Sequence, residues 1–138
     1  MKNNELLVIL GNQLFPIHEI LKINCKNIFM AEDMGLCTDF KHHKLKILMF
    51  LTAMRNYKDD LKKNGFNVFY FPIDDDSFHL KFEEKVFNTI KSNNFEKLHI
   101  FNIENLSFSK KFCKFFSNKN LDIIEHNSPM FLCSKDDF

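Results

Sequence analysis

Five short apolar runs recur along the chain of 138 residues, and most of the gaps between them are long enough for a helix. A continuous apolar run of this kind is typical of a strand that is buried on both faces of a sheet. The predicted strands are Leu6–Leu10, Asn27–Ala31, Val68–Ile73, Leu98–Ile103 and Leu121–Glu125. Strands that alternate with helices predict a parallel sheet with helices on both faces, so we expect one α/β domain over residues 1–138.

The longest gap carries the clearest helical pattern. Between Lys41 and Asn64 the apolar residues recur at spacings of three and four, which places them on one face of a helix. That face is predicted to consist of Ile47, Phe50, Met54, Tyr57 and Leu61, widened by Leu48 and Leu51. Gly65 follows at the position where a glycine in the left-handed conformation ends many helices.

Shorter helices are expected in the other gaps. One is predicted from about Phe78 to Asn93, with Asp76 or Ser77 as its N-cap. Another is predicted from about Phe108 to Phe116, with Ser107 as its N-cap. The first gap has room only for a short helix or a turn.

Composition narrows the class of function. The formal net charge is +1, which argues against a general binder of polyanions. No apolar run approaches the roughly 20 residues that a membrane span needs, so we expect no membrane partner. Cys25, Cys37, Cys113 and Cys133 form no CxxC pair and no zinc-finger spacing with histidine. We therefore expect reduced thiols and a cytoplasmic location.

A candidate binding site follows from the predicted sheet, because ligands of open α/β sheets bind where the parallel strands end. Three segments should meet at that edge: Gly11-Asn12-Gln13, the stretch Glu32–Phe40, and the acidic run Asp74–Asp76. The first two segments are expected to line a cleft between the loops that follow the first and second strands. Gly11 would let a ligand approach the backbone, and the two amides suit a flat heterocycle that both donates and accepts hydrogen bonds. Alternatively, Gly11 only makes a turn and Asn12 bonds its own backbone.

Other familiar sites are not expected. The chain lacks GxGxxG, Walker and GxSxG motifs, which argues against classical dinucleotide, triphosphate and serine-hydrolase sites. His42 and His43 are adjacent, and adjacent helical residues point about 100° apart, which does not suit a shared metal ion. The run Asp74–Asp76 could hold magnesium, but helix capping explains it more simply. No metal site and no catalytic residue is therefore predicted.

Three stretches together resemble a known family. They are LVILGNQLFP near the start, HHKLKILMFLTAMRNYKDDLKKNGFNVFYFPIDD in the middle, and FLCSKDDF at the end. They closely resemble the amino-terminal domain of the photolyase-related family, which includes iron–sulfur bacterial cryptochromes and (6-4) photolyases. The resemblance implies a Rossmann-like three-layer sandwich with a five-stranded parallel sheet. In that fold the first strand is central and is flanked by the second and fourth.

The resemblance also implies a function. The chain would be the antenna-chromophore domain of a light-dependent DNA-repair photolyase or cryptochrome-like protein, as a fragment that is not catalytic alone. FAD, a 4Fe-4S cluster and the DNA-binding pocket would belong to a helical domain that this sequence does not contain, to which the chain would dock. Two alternatives remain open: a stand-alone binding module for a nucleotide-like or flavin-like ligand, or a docking protein that uses Phe131 and Leu132.

In the family, the antenna chromophore is 6,7-dimethyl-8-ribityllumazine. By resemblance, the residues that would bind it are Gly11, Asn12, Gln13, Glu32, Met34 and Leu36. Two positions depart from the family pattern: Asn12 replaces a usual aspartate, and Leu36 stands where a glutamate that faces the chromophore is expected. A leucine cannot supply the hydrogen bonds of that glutamate, so another chromophore or an empty site are the alternatives.

Overall fold

A computed structural model describes residues 2–33, 43–130 and 133 of the chain. The strands are β1 (Lys2–Val8), β2 (Cys25–Ala31), β3 (Asn67–Phe71), β4 (Lys97–Phe101) and β5 (Asp122–His126). The α-helices are α1 (Ile17–Leu21), α2 (Lys44–Lys63), α3 (Phe82–Asn93) and α4 (Leu106–Phe116), and a 3-10 turn covers Asp76–His79. The five predicted strands and the intervening helices are therefore confirmed, with shifted ends.

All five strands form one parallel sheet in the order β3-β2-β1-β4-β5. The central strand is β1, where Leu7 lies between Ile28 of β2 and His99 of β4. The predicted α/β class, the parallel sheet and the central position of the first strand are confirmed. The strand order reverses between β1 and β4, which defines the topological switch point of the sheet.

Each face of the sheet carries its own apolar core. Successive residues of a strand point to opposite faces. Leu6 and Val8 of β1 belong to the core that α3 and α4 cover, whereas Leu7 and Ile9 belong to the core that α1 and α2 cover. The sandwich therefore has three layers. In the described part of the chain, no helix has both the length and the apolar character of a membrane span.

Helix α2 turns the predicted apolar face toward the sheet, except for Leu48. Met54 and Leu61 are fully buried, and Leu51 packs partly buried against the same core. Leu48 is 61% exposed, so its predicted place on the inward face is wrong. At about 100° per residue, Leu48 points about 120° away from the buried Met54 and so lies on the solvent side of the apolar stripe. Gly65 ends the helix with a φ of +86°, as predicted.

The predicted N-caps of α3 and α4 are both wrong. Asp75, rather than Asp76 or Ser77, accepts the Ser77 N–H and caps the 3-10 turn, which separates it from α3. Asn105, rather than Ser107, caps α4 by accepting the Phe108 N–H at 3.0 Å. Helix α3 begins at Phe82 with Lys81 as its N-cap, later than predicted, because the 3-10 turn precedes it. Helix α4 begins at Leu106, earlier than the apolar pattern suggests, so its cap lies earlier too.

A substitution at Gly11 tests how closely α2 packs on the loop after β1. A Cβ atom at this position would lie 2.7 Å from the Phe50 ring and 3.0 Å from the Met54 sulfur. We expect Gly11→Ala to lower the free energy of unfolding by about 1–3 kcal/mol, because the helix side chains must shift. Adding Phe50→Leu should recover part of that loss. Urea denaturation measures both, with Asn12→Ala as the control at an exposed neighbour; equal midpoints for Gly11→Ala and wild type would contradict this packing.

Candidate functional site

The loops after β1 and β4 flank the switch point at the carboxyl edge, the edge of the sheet where the parallel strands end. Open α/β sheets bind ligands in the crevice at this place. The sequence predicted that the crevice lies between the loops after β1 and β2. The strand order instead puts the reversal between β1 and β4, because the chain crosses over β1 only after completing β2 and β3.

Gln13 joins the two loops at the switch point. Its side chain is 1% exposed. The amide nitrogen donates to the Asn102 carbonyl oxygen at 3.2 Å, and the amide oxygen accepts the Leu10 N–H at 3.4 Å. Asn102 follows β4 directly, so this one side chain ties the end of β1 to the end of β4.

The other two residues of the segment Gly11-Asn12-Gln13 differ in exposure: Gly11 is buried and Asn12 is exposed. Gly11 is buried against Phe50 and Met54 of α2, and the Gln13 N–H donates to the Leu10 carbonyl oxygen at 2.9 Å to close a turn. Asn12 is exposed at the tip of that turn, and its side chain makes no hydrogen bond to another described residue. Of the two predicted amides, Asn12 is therefore the one accessible from solvent.

Glu32 forms the densest polar cluster at the carboxyl edge. It follows β2 directly, and its side chain is fully buried. The carboxylate accepts a bidentate pair from Arg55, with Nε at 2.7 Å and Nη2 at 3.0 Å. It also accepts the Tyr70 hydroxyl at 2.5 Å and the Ile73 N–H at 2.7 Å. We call these four residues the Glu32 cluster; they join the ends of β2 and β3 to α2.

Electrostatics keep the Glu32 carboxyl ionised. Burial alone would raise its pKa, but the hydrogen bonds from Arg55, Tyr70 and Ile73 outweigh burial and hold the pKa below its usual range. The same contacts raise the pKa of Arg55, and burial together with the bond to Glu32 raises the pKa of Tyr70. The cluster is thus an ion pair with a neutral phenol at neutral pH.

Arg55 is the group that this cluster presents to solvent. It is the single arginine of the chain, and its side chain remains 48% exposed while its inner edge is bound to Glu32. A guanidinium fixed on one edge can still donate from its other edge to an oxygen or a ring nitrogen of a ligand. The sequence analysis did not single out Arg55, although its uniqueness in a lysine-rich chain was a usable signal.

A further tie holds the loop after β1 in place. The Tyr57 hydroxyl of α2 donates to the Phe15 carbonyl oxygen at 2.7 Å. Burial raises the pKa of Tyr57, so the hydroxyl stays a donor. The sequence predicted Tyr57 only as an apolar contact, because its backbone partner lies 42 residues away. Helix α2 therefore fixes both the Gly11 turn and the Glu32 cluster.

The remaining residues singled out in the sequence are either outside the described part of the chain or act as helix caps. Met34 and Leu36, with the rest of residues 34–42, lie outside the described residues. Asp75 acts as a cap, in agreement with the simpler interpretation of the acidic run. His43 is the N-cap of α2, where its ring Nδ1 accepts the Leu45 N–H at 3.2 Å. Within the described ranges, no group of three or more acidic, histidine or cysteine side chains is arranged to hold a metal ion.

A second polar network lies on the sheet face rather than at its edge, and the sequence analysis missed it. His99 is buried in β4, with Nε2 2.8 Å from a Glu5 carboxylate oxygen and Nδ1 2.8 Å from Nε2 of His126. Burial, with a smaller contribution from His99, lowers the pKa of His126. The network runs from β1 to β5, and its contacts link strands that no apolar pattern could have paired.

Comparison with known proteins gives two similarities. The family described as deoxyribodipyrimidine photo-lyase-related protein matches residues 7–138 of the chain. A (6-4) photolyase of Agrobacterium fabrum (strain C58 / ATCC 33970) is 36% identical over 75 residues, which make up 52% of this chain and 15% of that enzyme. The match thus spans about one seventh of the length of that relative.

Replacing Glu32 tests whether its charge organises the edge. Glu32→Gln keeps the shape but leaves Arg55, Tyr70 and Ile73 competing for one neutral oxygen, so we expect a loss of about 2–3 kcal/mol at pH 7. Because the folded-state pKa lies below the unfolded one, the stabilisation is present above about pH 4.3 and is lost as the pH falls through the folded-state pKa. Glu32→Gln should lack that acid-dependent step.

Urea denaturation between pH 7 and pH 3 measures both effects. Glu104→Gln is the matched control, since Glu104 is exposed. An unchanged pH profile in Glu32→Gln would show that the carboxylate does not stabilise the folded state.

Proposed function

The chain belongs to the family of deoxyribodipyrimidine photo-lyase-related proteins, and on that premise we propose that it is the antenna-chromophore domain of a light-dependent DNA-repair photolyase or cryptochrome-like protein. The family match over residues 7–138 supports this proposal, as does the similarity to a (6-4) photolyase. An antenna absorbs light and passes the excitation on. The protein's own task is to bind the chromophore, orient it and exclude water.

The observation that carries the proposal is the construction of the carboxyl edge. Gln13 ties the ends of β1 and β4, and the Glu32 cluster ties the ends of β2 and β3 to α2. These ties leave Asn12 and the outer side of Arg55 exposed at the carboxyl edge. A ligand site in which polar groups are fixed before binding loses less entropy on association.

We propose 6,7-dimethyl-8-ribityllumazine as the chromophore. The donor and acceptor set at the edge fits it: the Asn12 amide can both donate and accept, and Arg55 can donate to a ring carbonyl oxygen. The proposed contacts are Asn12, Arg55, Met34 and Leu36, and the buried Gly11 and Gln13 hold the turn that presents Asn12. Glu32 acts through Arg55 as a positioning residue, because both of its oxygens are already bound inside the protein.

We further propose that the chain alone does not catalyse repair. In this proposal FAD, a 4Fe-4S cluster and the contact with damaged DNA belong to a helical domain against which this domain docks. The 15% coverage of the related photolyase supports the division, since most of that enzyme lies outside the match. Repair of a (6-4) lesion by the purified chain under blue light would contradict it.

Titration with the lumazine tests the proposed site. We expect wild type to bind it and Leu36→Glu to bind about tenfold to a hundredfold more tightly, because an unsatisfied ring N–H costs about 1–3 kcal/mol. Lumazine fluorescence reports the affinity. Leu21→Glu is the matched control, since Leu21 is 46% exposed at the end of α1 and precedes the start of β2.

Two outcomes would count against this account. A wild-type chain that binds no lumazine would contradict the antenna proposal. A wild-type affinity equal to that of Leu36→Glu would contradict the role assigned to residue 36.

A further inference from the structure

Lys85 is buried in a way that lysines seldom are. It lies in the first turn of α3, and its side chain is 2% exposed. Its Nζ has no hydrogen-bond partner among the residues that the structure describes. Most lysines near a surface extend the ammonium group into water, and a buried ammonium is normally paired. Lys85 therefore needs an explanation that packing does not provide.

The surroundings of Lys85 place its amine at the carboxyl edge. Nζ lies 5.5 Å from the centre of the Phe78 ring in the 3-10 turn. Burial lowers the pKa of Lys85, and the negative charges of Asp33 and Asp75 oppose that effect. Asp33 follows Glu32 at the end of β2, and Asp75 lies in the loop that follows β3. The amine is thus at the carboxyl edge near the ends of β2 and β3, and β2 is the direct neighbour of β1 at the switch point.

Neither the 3-10 turn nor the neighbouring carboxylates accept a hydrogen bond from the Lys85 amine. The Phe78 ring offers a cation–π contact, which is weaker than a hydrogen bond to an oxygen. One Asp75 oxygen already accepts both the N–H and the hydroxyl of Ser77. An unsatisfied buried amine costs stability, and residues that break a local rule in this way are expected mainly at functional or strained sites.

We propose that Lys85 is a ligand-binding residue whose amine donates a hydrogen bond to an uncharged oxygen, a carbonyl or a hydroxyl, of the small molecule held at the carboxyl edge. This inference rests on the proposed function, since it assigns a contact to the same site. The uncharged class follows from the local charge. The negative charges of Asp33 and Asp75 act on the amine, and they favour an uncharged oxygen over a phosphate or a carboxylate beside it.

Lys85→Met separates a binding role from a structural one. Methionine has a similar length and no polar atom, so it fills the same space without the unsatisfied amine. We expect the ligand-free variant to melt at the wild-type temperature or a few degrees higher. We expect its affinity for 6,7-dimethyl-8-ribityllumazine to fall about tenfold to a hundredfold, the value of a hydrogen bond from a charged donor.

Lys91→Met is the matched control for this experiment. Lys91 is an exposed residue of the same helix, so the same chemical change should leave lumazine affinity unaltered. Thermal unfolding of the ligand-free proteins needs no ligand and therefore tests Lys85 independently of the antenna proposal. A clearly lower melting temperature for Lys85→Met would overturn the inference, because it would mean that the amine has a structural partner.

The titrations separate the two proposals from each other. Equal lumazine affinity in wild type and Lys85→Met overturns the Lys85 inference and leaves the antenna proposal intact. If wild type binds no lumazine, the antenna proposal fails. Riboflavin, which also offers uncharged carbonyl and hydroxyl oxygens, is then the ligand with which Lys85 is tested. Riboflavin binding that weakens in Lys85→Met supports the inference; equal binding or none overturns it. Tighter Lys85-dependent binding of flavin mononucleotide than of riboflavin would overturn the uncharged-oxygen assignment.

Discussion

The buried carboxylate of Glu32 is the interaction on which the carboxyl edge depends. It accepts hydrogen bonds from Arg55, Tyr70 and the Ile73 N–H, which lie 23, 38 and 41 residues after Glu32 in the chain. A parallel sheet brings its strand ends together, but each strand leaves its edge into a separate crossover, so backbone pairing stops there. A single anion with several fixed donors holds these ends in one arrangement. Because the anion is buried, the loss of any one donor would leave it costly to keep unpaired.

The polar groups at the carboxyl edge divide into those that are hydrogen-bonded inside the protein and those that remain available to a ligand. Gln13 and Tyr57 use their polar groups inside the protein, to bind Asn102 and Phe15. Asn12 and the outer side of Arg55 remain exposed, and the Lys85 amine is buried without a hydrogen bond in the described part of the chain. The satisfied groups build the frame, and the unsatisfied ones are those that a bound molecule could complete.

The sequence predicted the elements well where a local pattern determines them. Continuous apolar runs identified every strand of the sheet, and the spacing of Phe50, Met54 and Leu61 identified the inward face of α2. Caps were less predictable, because Asp75 and Asp76 are equally suitable residue types one position apart. Leu48 was misplaced since the rotation of a helix about its axis depends on what lies opposite, which spacing alone does not define.

The polar contacts of the site could not be predicted from the sequence, for a different reason. The partner of Glu32 lies on another element, and nothing local to residue 32 indicates Arg55. The bond between His99 and Glu5 spans 94 residues and follows from strand order rather than from any motif. The predicted edge segment Gly11-Asn12-Gln13 was correctly placed after β1, but the division into packed, exposed and bound residues required the fold.

A small chromophore is proposed to bind at the carboxyl edge of this sheet, and residue-resolved NMR during a lumazine titration would locate it. We expect the backbone amide shifts to change at Asn12, at Asp33 and around the loop after β3, with smaller changes at the start of β2 and β4. Shift changes confined to the opposite edge, or no shift changes at a saturating lumazine concentration, would rule out a chromophore site at the carboxyl edge.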